Sequence, residues 1–129
     1  MAFSDYLEDK LLKHTFANTA FTTPGTVYLG LFTAAPSDTG GGTEVSGGSY
    51  ARISCPFSVS GSDPTLCTNS SAAEFATATG TWGAVGWMAV FDASTSGNML
   101  AWAALTASKT VSSGDVFRFD QGDLDITLS

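Results

Sequence analysis

The chain has 129 residues, enough for one domain with a core that needs neither metal nor dense disulfides. Hydrophobic residues make up 43% of it and charged residues only 13%, against about 25% in an ordinary domain; Ser, Thr, Gly and Ala fill the difference, which favours strands and tight turns over a helical bundle. The net charge is −7, and the five basic residues (Lys10, Lys13, Arg52, Lys109, Arg118) are dispersed, which excludes direct nucleic-acid binding through a clustered basic patch and disfavours an anionic membrane surface.

Ser4 can cap a helix, with Asp5, Glu8 and Asp9 in the turns where the helix dipole favours negative charge. Leu7, Leu11, Leu12 and Phe16 follow at helical spacing, so the pattern predicts a helix over about 4–18, closed by the turn at Pro24-Gly25. Residues 26–32 are rich in β-formers and apolar on both faces, as in a strand covered on both sides. From 33 to 50 the chain is too rich in glycine to build a core, and a loop of this length is often functional. It reads as an arm that orders against a neighbouring subunit.

Residues 51–59 form a second strand candidate, interrupted at Pro56, and 60–71 read as a turn-rich excursion. A short strand is expected over 73–79. Residues 83–93 and 99–105 are apolar runs joined by Ser94-Thr95-Ser96-Gly97-Asn98, a hairpin signature. After the turn at 112–115, strands are expected over 116–119 and 124–128; in the last, Leu124, Ile126 and Leu128 alternate with Asp125 and Thr127, giving one buried and one wet face. The expectation is a single mostly β domain over 1–129, an antiparallel β-sandwich or small barrel of six to eight strands with one N-terminal α-helix. The N-terminus has the composition of neither a signal peptide nor a membrane span of about 20 apolar residues, so synthesis in the cytoplasm of the producing cell is expected.

Little in the sequence points to catalysis. His14 is the one histidine, and no serine stands in a Gly-x-Ser-x-Gly elbow. Two cysteines and one histidine are too few for structural zinc. Asp115, Asp120, Asp123 and Asp125 could hold calcium, but they read more simply as turn residues and their solvated neighbours. Asp92 and Glu74 are carboxylates near aromatic residues, with no spacing that selects them as a glycosidase pair. Trp82, Trp87 and Trp102 could form a sugar-stacking platform, with core packing the plainer role. Cys55 and Cys67 read as reduced thiols, or as a disulfide that would stabilise by about 3 kcal/mol in the chain-entropy account. No enzyme activity, cofactor or metal is expected.

Several stretches together resemble a known group. They are Thr26-Val27-Tyr28-Leu29-Gly30-Leu31-Phe32, then Gly41-Gly42-Thr43-Glu44-Val45-Ser46-Gly47-Gly48-Ser49-Tyr50-Ala51-Arg52, then Trp82-Gly83-Ala84-Val85 and the ending Gly122-Asp123-Leu124-Asp125-Ile126-Thr127-Leu128. Over nearly its whole length the chain resembles small virion structural proteins of tailed bacteriophages, often labelled tail fibre proteins. The likeness departs at 56–71, where a cysteine pair is not a feature of the family. The resemblance implies a component of the virion, without enzyme activity, that contacts other virion proteins and forms homo-oligomers within the particle.

The expected role is a capsid decoration or cement protein that bridges major capsid subunits, since 129 residues without repeats do not build a long fibre. The alternative is a tail-fibre or tail-tip component for fibre attachment or receptor binding. The residues expected to meet partners are Leu7 and Leu11 on the helix, and Thr39, Gly41, Glu44, Val45 and Tyr50 on the arm.

Overall fold

The computed structural model describes residues 1–62 and 65–128, with nothing stated of the Leu128 side chain. The central element is an antiparallel sheet. Its strands are β1 (Ala2–Phe3), β2 (Tyr28–Ala34), β3 (Thr43–Glu44), β4 (Ile53–Ser54), β8 (Gly83–Phe91) and β9 (Met99–Val111), in the order β1-β9-β8-β2-β3, with β4 also on β2. Helix α1 (Asp5–Phe16) follows β1 directly. The other layer comprises β5 (Phe57–Ser60), β6 (Thr65–Asn69) and β11 (Asp125–Leu128) in one antiparallel sheet, and β7 (Ala73–Glu74) with β10 (Arg118–Phe119) in another. This is a small β-sandwich, and among the described residues no barrel closes.

Strand alternation divides the apolar residues of the central sheet between its two faces. Leu29 and Leu31 of β2 lie opposite Val90 and Met88 of β8, and these residues join Leu100, Phe75, Phe117 and Leu124 in the main core. Burying each such side chain contributes about 1.5–3 kcal/mol. The opposite face carries Phe32, Ala89, Phe91 and Met99, with Trp87 and Trp102 packed against them. The apolar character of both faces of 26–32 therefore reflects two separate clusters.

The hairpin of β8 and β9 contains two register shifts. Near its turn, Leu100 is the extra residue between the pairs Val90↔Ala101 and Phe91↔Met99, so both Leu100 and its neighbours keep an apolar face inward. At the other end, Val85↔Lys109 and Trp87↔Ala104 leave residues 105–108 opposite Gly86 alone. β9 thus runs to Val111, well past the expected end at 105, because pairing with β8 continues where the side chains have become polar and exposed.

The structure corrects the expected elements at several places. The chain between 51 and 59 is two strands in different sheets, β4 and β5, separated at Pro56, which has no N–H for a ladder. The stretch 60–71 contains β6, the middle strand of its sheet, although residues 63 and 64 lie outside the described residues. The described residues form eleven strands rather than the six to eight expected; five of them, β1, β3, β4, β7 and β10, have two residues each, too short for periodicity to reveal. Of the two readings of the cysteine pair the structure has the reduced one, with Cys55 and Cys67 both free thiols. Cys55 is buried in the main core, while Cys67 sits mid-strand in β6 opposite Val59 and Ile126.

Candidate interaction site

The two most specific sequence stretches meet in one buried polar latch. β2 is flanked by β3 at one end and β4 at the other, which leaves the edge at Leu31 open. The Tyr50 hydroxyl fills that opening: it accepts from the Leu31 N–H at 2.9 Å and donates to Glu44 Oε1 at 2.8 Å. Arg52 meets the same carboxylate in two parallel bonds, Nε to Oε1 and Nη2 to Oε2, both 2.8 Å. Its Nη1 donates to the carbonyls of Ala93 (3.0 Å) and Ser96 (2.7 Å) in the β8–β9 turn, and its guanidinium lies 3.4 Å from the centre of the Phe91 ring. Each nitrogen of Arg52 and each carboxylate oxygen of Glu44 thus has a partner, as burial of charge requires. Burial holds the Tyr50 phenol proton well above the usual tyrosine range.

Gly30 sits under the latch. A Cβ there would stand 2.9 Å from Glu44 Oε1, 3.1 Å from the Phe91 ring and 3.3 Å from the Tyr50 hydroxyl, so the Leu-Gly-Leu of β2 is a requirement of close approach.

Residues 33–50 are accordingly folded onto their own domain. The Val45 N–H donates to Leu31 O at 2.9 Å, the Gly48 carbonyl accepts from Trp82 Nε1 at 2.9 Å and from the Thr79 N–H at 3.0 Å, and the Asp38 carbonyl accepts from the Asp5 N–H at 2.9 Å. Val45 is buried in the core, and Glu44 and Tyr50 are committed to the latch. Thr39 and Gly41 remain exposed. They line a cleft of about 490 Å³ with Asp38, Asn98, Phe91 and Met99, beside the start of α1.

Helix α1 is held at its beginning and free at its end. Buried Ser4 donates its hydroxyl to the Met99 carbonyl and accepts from the Leu7 N–H, and its own N–H reaches Leu100 O at 2.9 Å. Asp5 and Glu8 in the first turn and Lys13 and His14 in the last complement the helix dipole. No residue of α1 is buried. Leu7 is half-buried and lines an apolar groove with Phe3, Val27, Phe57, Val59 and Ile126; Leu11 is half-buried, while Leu12 and Phe16 are 59% and 82% exposed. His14 Nδ1 accepts from the Phe21 N–H at 3.1 Å, which turns the chain back after the helix.

The other candidates are placed in structural roles. Asp92 accepts from the N–H and Nδ2 of Asn98 and closes the hairpin turn, far in the chain from Glu74, which pairs with Arg118. Asp115 accepts from the Ser112 N–H and Asp123 from the Asp120 N–H, each within its own turn. Trp82 is core, whereas Trp87 and Trp102 are half-buried on the outer face of the central sheet, so the three do not form one platform. Sequence reasoning missed Arg52 as the centre of the latch and Asp38 and Asn98 in the cleft. In a chain this poor in charge, the closely spaced Glu44, Tyr50 and Arg52 were the available signal.

An internally locked sandwich that exposes an apolar helix end has the build of an assembly subunit, and the sequence relationships give that class a name. The profile of a family described as "Podophage GP4 fiber I protein gp80" matches residues 2–127, and the chain belongs to this family. It is a structural protein of a tailed-phage virion. No curated protein sequence matches the chain.

Proposed function

We propose that the chain is a non-enzymatic fibre subunit that joins its neighbours in the particle through helix α1. The family description supports a fibre over capsid decoration, the role expected from the size of the chain. The observation that carries the reading is the exposure of Phe16, 82%, at the end of a helix whose start is anchored by a buried serine. A large aromatic on a solvated helix contributes almost nothing to the fold of one chain, and burying it in assembly contributes about 1.5–3 kcal/mol. Leu12, one turn earlier, extends the same stripe. The partners are other virion proteins, including further copies of the chain.

Particle assembly with Leu12→Ser/Phe16→Ser tests this. The double variant folds with wild-type stability and is absent from, or strongly depleted in, purified particles. Wild-type incorporation would overturn the role of α1.

A further inference from the structure

We propose that strand β5 is a second association surface, through which two copies of the chain pair edge to edge, antiparallel, about a two-fold axis at Ser58. The small sheet runs β11-β6-β5, so β5 has a neighbouring strand on one side only. Its ladder with β6 pairs Phe57↔Asn69, Ser58↔Thr68, Val59↔Cys67 and Ser60↔Leu66 without a shift. One step earlier in the same register, the Ser70 N–H donates to the Pro56 carbonyl at 2.9 Å. Hydrogen-bonded and non-bonded pairs alternate along an antiparallel ladder. Ser58 and Ser60 therefore turn their backbone groups toward β6, and Phe57 and Val59 turn theirs away from it. Asn69, opposite Phe57, agrees with this parity: its N–H donates to Leu124 O at 3.3 Å, on the β11 side. Among the described residues, no backbone bond occupies the outward N–H and C=O of Phe57 and Val59.

These outward groups complement themselves. Two β5 strands laid antiparallel with Ser58 opposite Ser58 place Phe57 of each copy opposite Val59 of the other. Each such pair exchanges both of its N–H···O bonds, and the two small sheets continue as one across a self-complementary contact. A slip of one residue would set the outward groups against ones already turned to β6, and a slip of two would leave a single bonded pair within the strand. The side chains fit the same register. Phe57 and Val59 share the inner face of the sheet, where they line an apolar groove of about 290 Å³ with Cys67, Ile126, Leu7 and Leu100. Val59 is 68% exposed, and the pairing lays Phe57 of the second copy beside it.

Charge selects β5 among the sheet edges. Neither β5 nor β6 contains a charged side chain, whereas the chain as a whole carries −7. The opposite edge of the small sheet, β11, carries Asp125, and β3 at the edge of the central sheet carries Glu44. Two like-charged copies meet at lowest cost where neither presents charge. Within β5 there is also none of the charges or prolines that keep exposed edges from pairing.

The test uses the full chain in solution and is separate from the role of α1. In sedimentation velocity over a dilution series, the wild type is expected in monomer–dimer equilibrium. Val59→Lys, at an exposed position, is expected to be monomeric with an unchanged urea midpoint. Register is read by disulfide formation with oxidised glutathione in Ser58→Cys and Ser60→Cys, both in a Cys67→Ala background. In the proposed pairing the two copies of residue 58 lie about 4.5 Å apart between Cα atoms, within disulfide range, and the two copies of residue 60 about 14 Å apart. Cross-linking is expected to be at least tenfold faster at Ser58→Cys than at Ser60→Cys, and to be lost when Val59→Lys is added. The inference is overturned by a wild type that stays monomeric or aggregates without limit, by equal cross-linking at the two positions, by a dimer retained in Val59→Lys, or by a dimer abolished in Leu12→Ser/Phe16→Ser.

Discussion

Arg52 and Glu44 face one another in a two-pronged ion pair whose guanidinium also lies flat on Phe91 and reaches into the β8–β9 turn. One side chain thereby ties together β3, the central sheet and the hairpin end. The side chain of Arg52 is only 8% exposed and that of Glu44 26%. Removal of one partner leaves the other charge buried without compensation, which costs about 3–5 kcal/mol in fully buried pairs; partial exposure of Glu44 places this pair toward the lower end. Arg52→Met and Glu44→Gln are each expected to lower the urea midpoint strongly, while Glu44→Gln/Arg52→Met together cost less than the sum. Additive losses in this double-mutant cycle would show that the two residues act independently.

Gly30→Ala tests the packing beneath the pair. The added methyl group stands within 2.9 Å of the Glu44 carboxylate, so the latch must shift as a unit. A loss of about 1–3 kcal/mol is expected by chemical denaturation, as for other overpacked sites. The same substitution in the Arg52→Met background is expected to cost less, because the carboxylate is then free to move.

Ser4 serves both as helix cap and as the anchor to β9. Ser4→Ala removes both bonds at once and leaves the Met99 carbonyl without its side-chain donor. Loss of a cap alone costs about 1 kcal/mol. The readout is hydrogen exchange: amides of α1 lose protection, while those of β8 and β2 keep it. Uniform loss across the domain would instead make α1 part of the core's cooperative unit.

Burial pushes the Cys55 thiol from its ordinary value of 9.0 up to about 11. The folded state therefore holds this proton more tightly than the unfolded state does. The sign follows directly: the contribution is fully present below pH 9, and stability falls as pH rises from 9 toward 11. Cys55→Ala is expected to flatten that alkaline limb of the stability profile. In labelling with a maleimide at pH 8, Cys67 is expected to react first, since it is only half-buried, with Cys55 modified only as the domain opens.

Much of the fold was legible because its signals are local. Ser4, the acidic first turn and the leucine spacing mark α1 to within two residues at each end, and the five-residue turn between two apolar runs marks the β8–β9 hairpin. The pairings that make the sheets are not local. Ala2 meets Trp102, and Asp125 meets Thr68, far apart in the chain, and strands of two residues carry no period of their own. The segment 33–50 illustrates the limit most clearly. Its glycines suggest an extended arm, yet Glu44 and Tyr50 within it are held by Arg52 and the Leu31 amide of other elements. A tertiary polar network of this kind has no signature in hydrophobic periodicity. The cleft was invisible for the same reason, since Asp38 and Asn98 come together only through Trp102 and the hairpin turn.

The central claim, a fibre subunit joined through α1, is tested most directly by a cryo-electron microscopy map of the intact particle at side-chain resolution. The account predicts density for this chain within a fibre, with Leu12 and Phe16 buried against a neighbouring subunit and the Glu44–Arg52 latch intact inside each copy. Copies arrayed over the head lattice, or fibre copies with Phe16 still facing solvent, would contradict it.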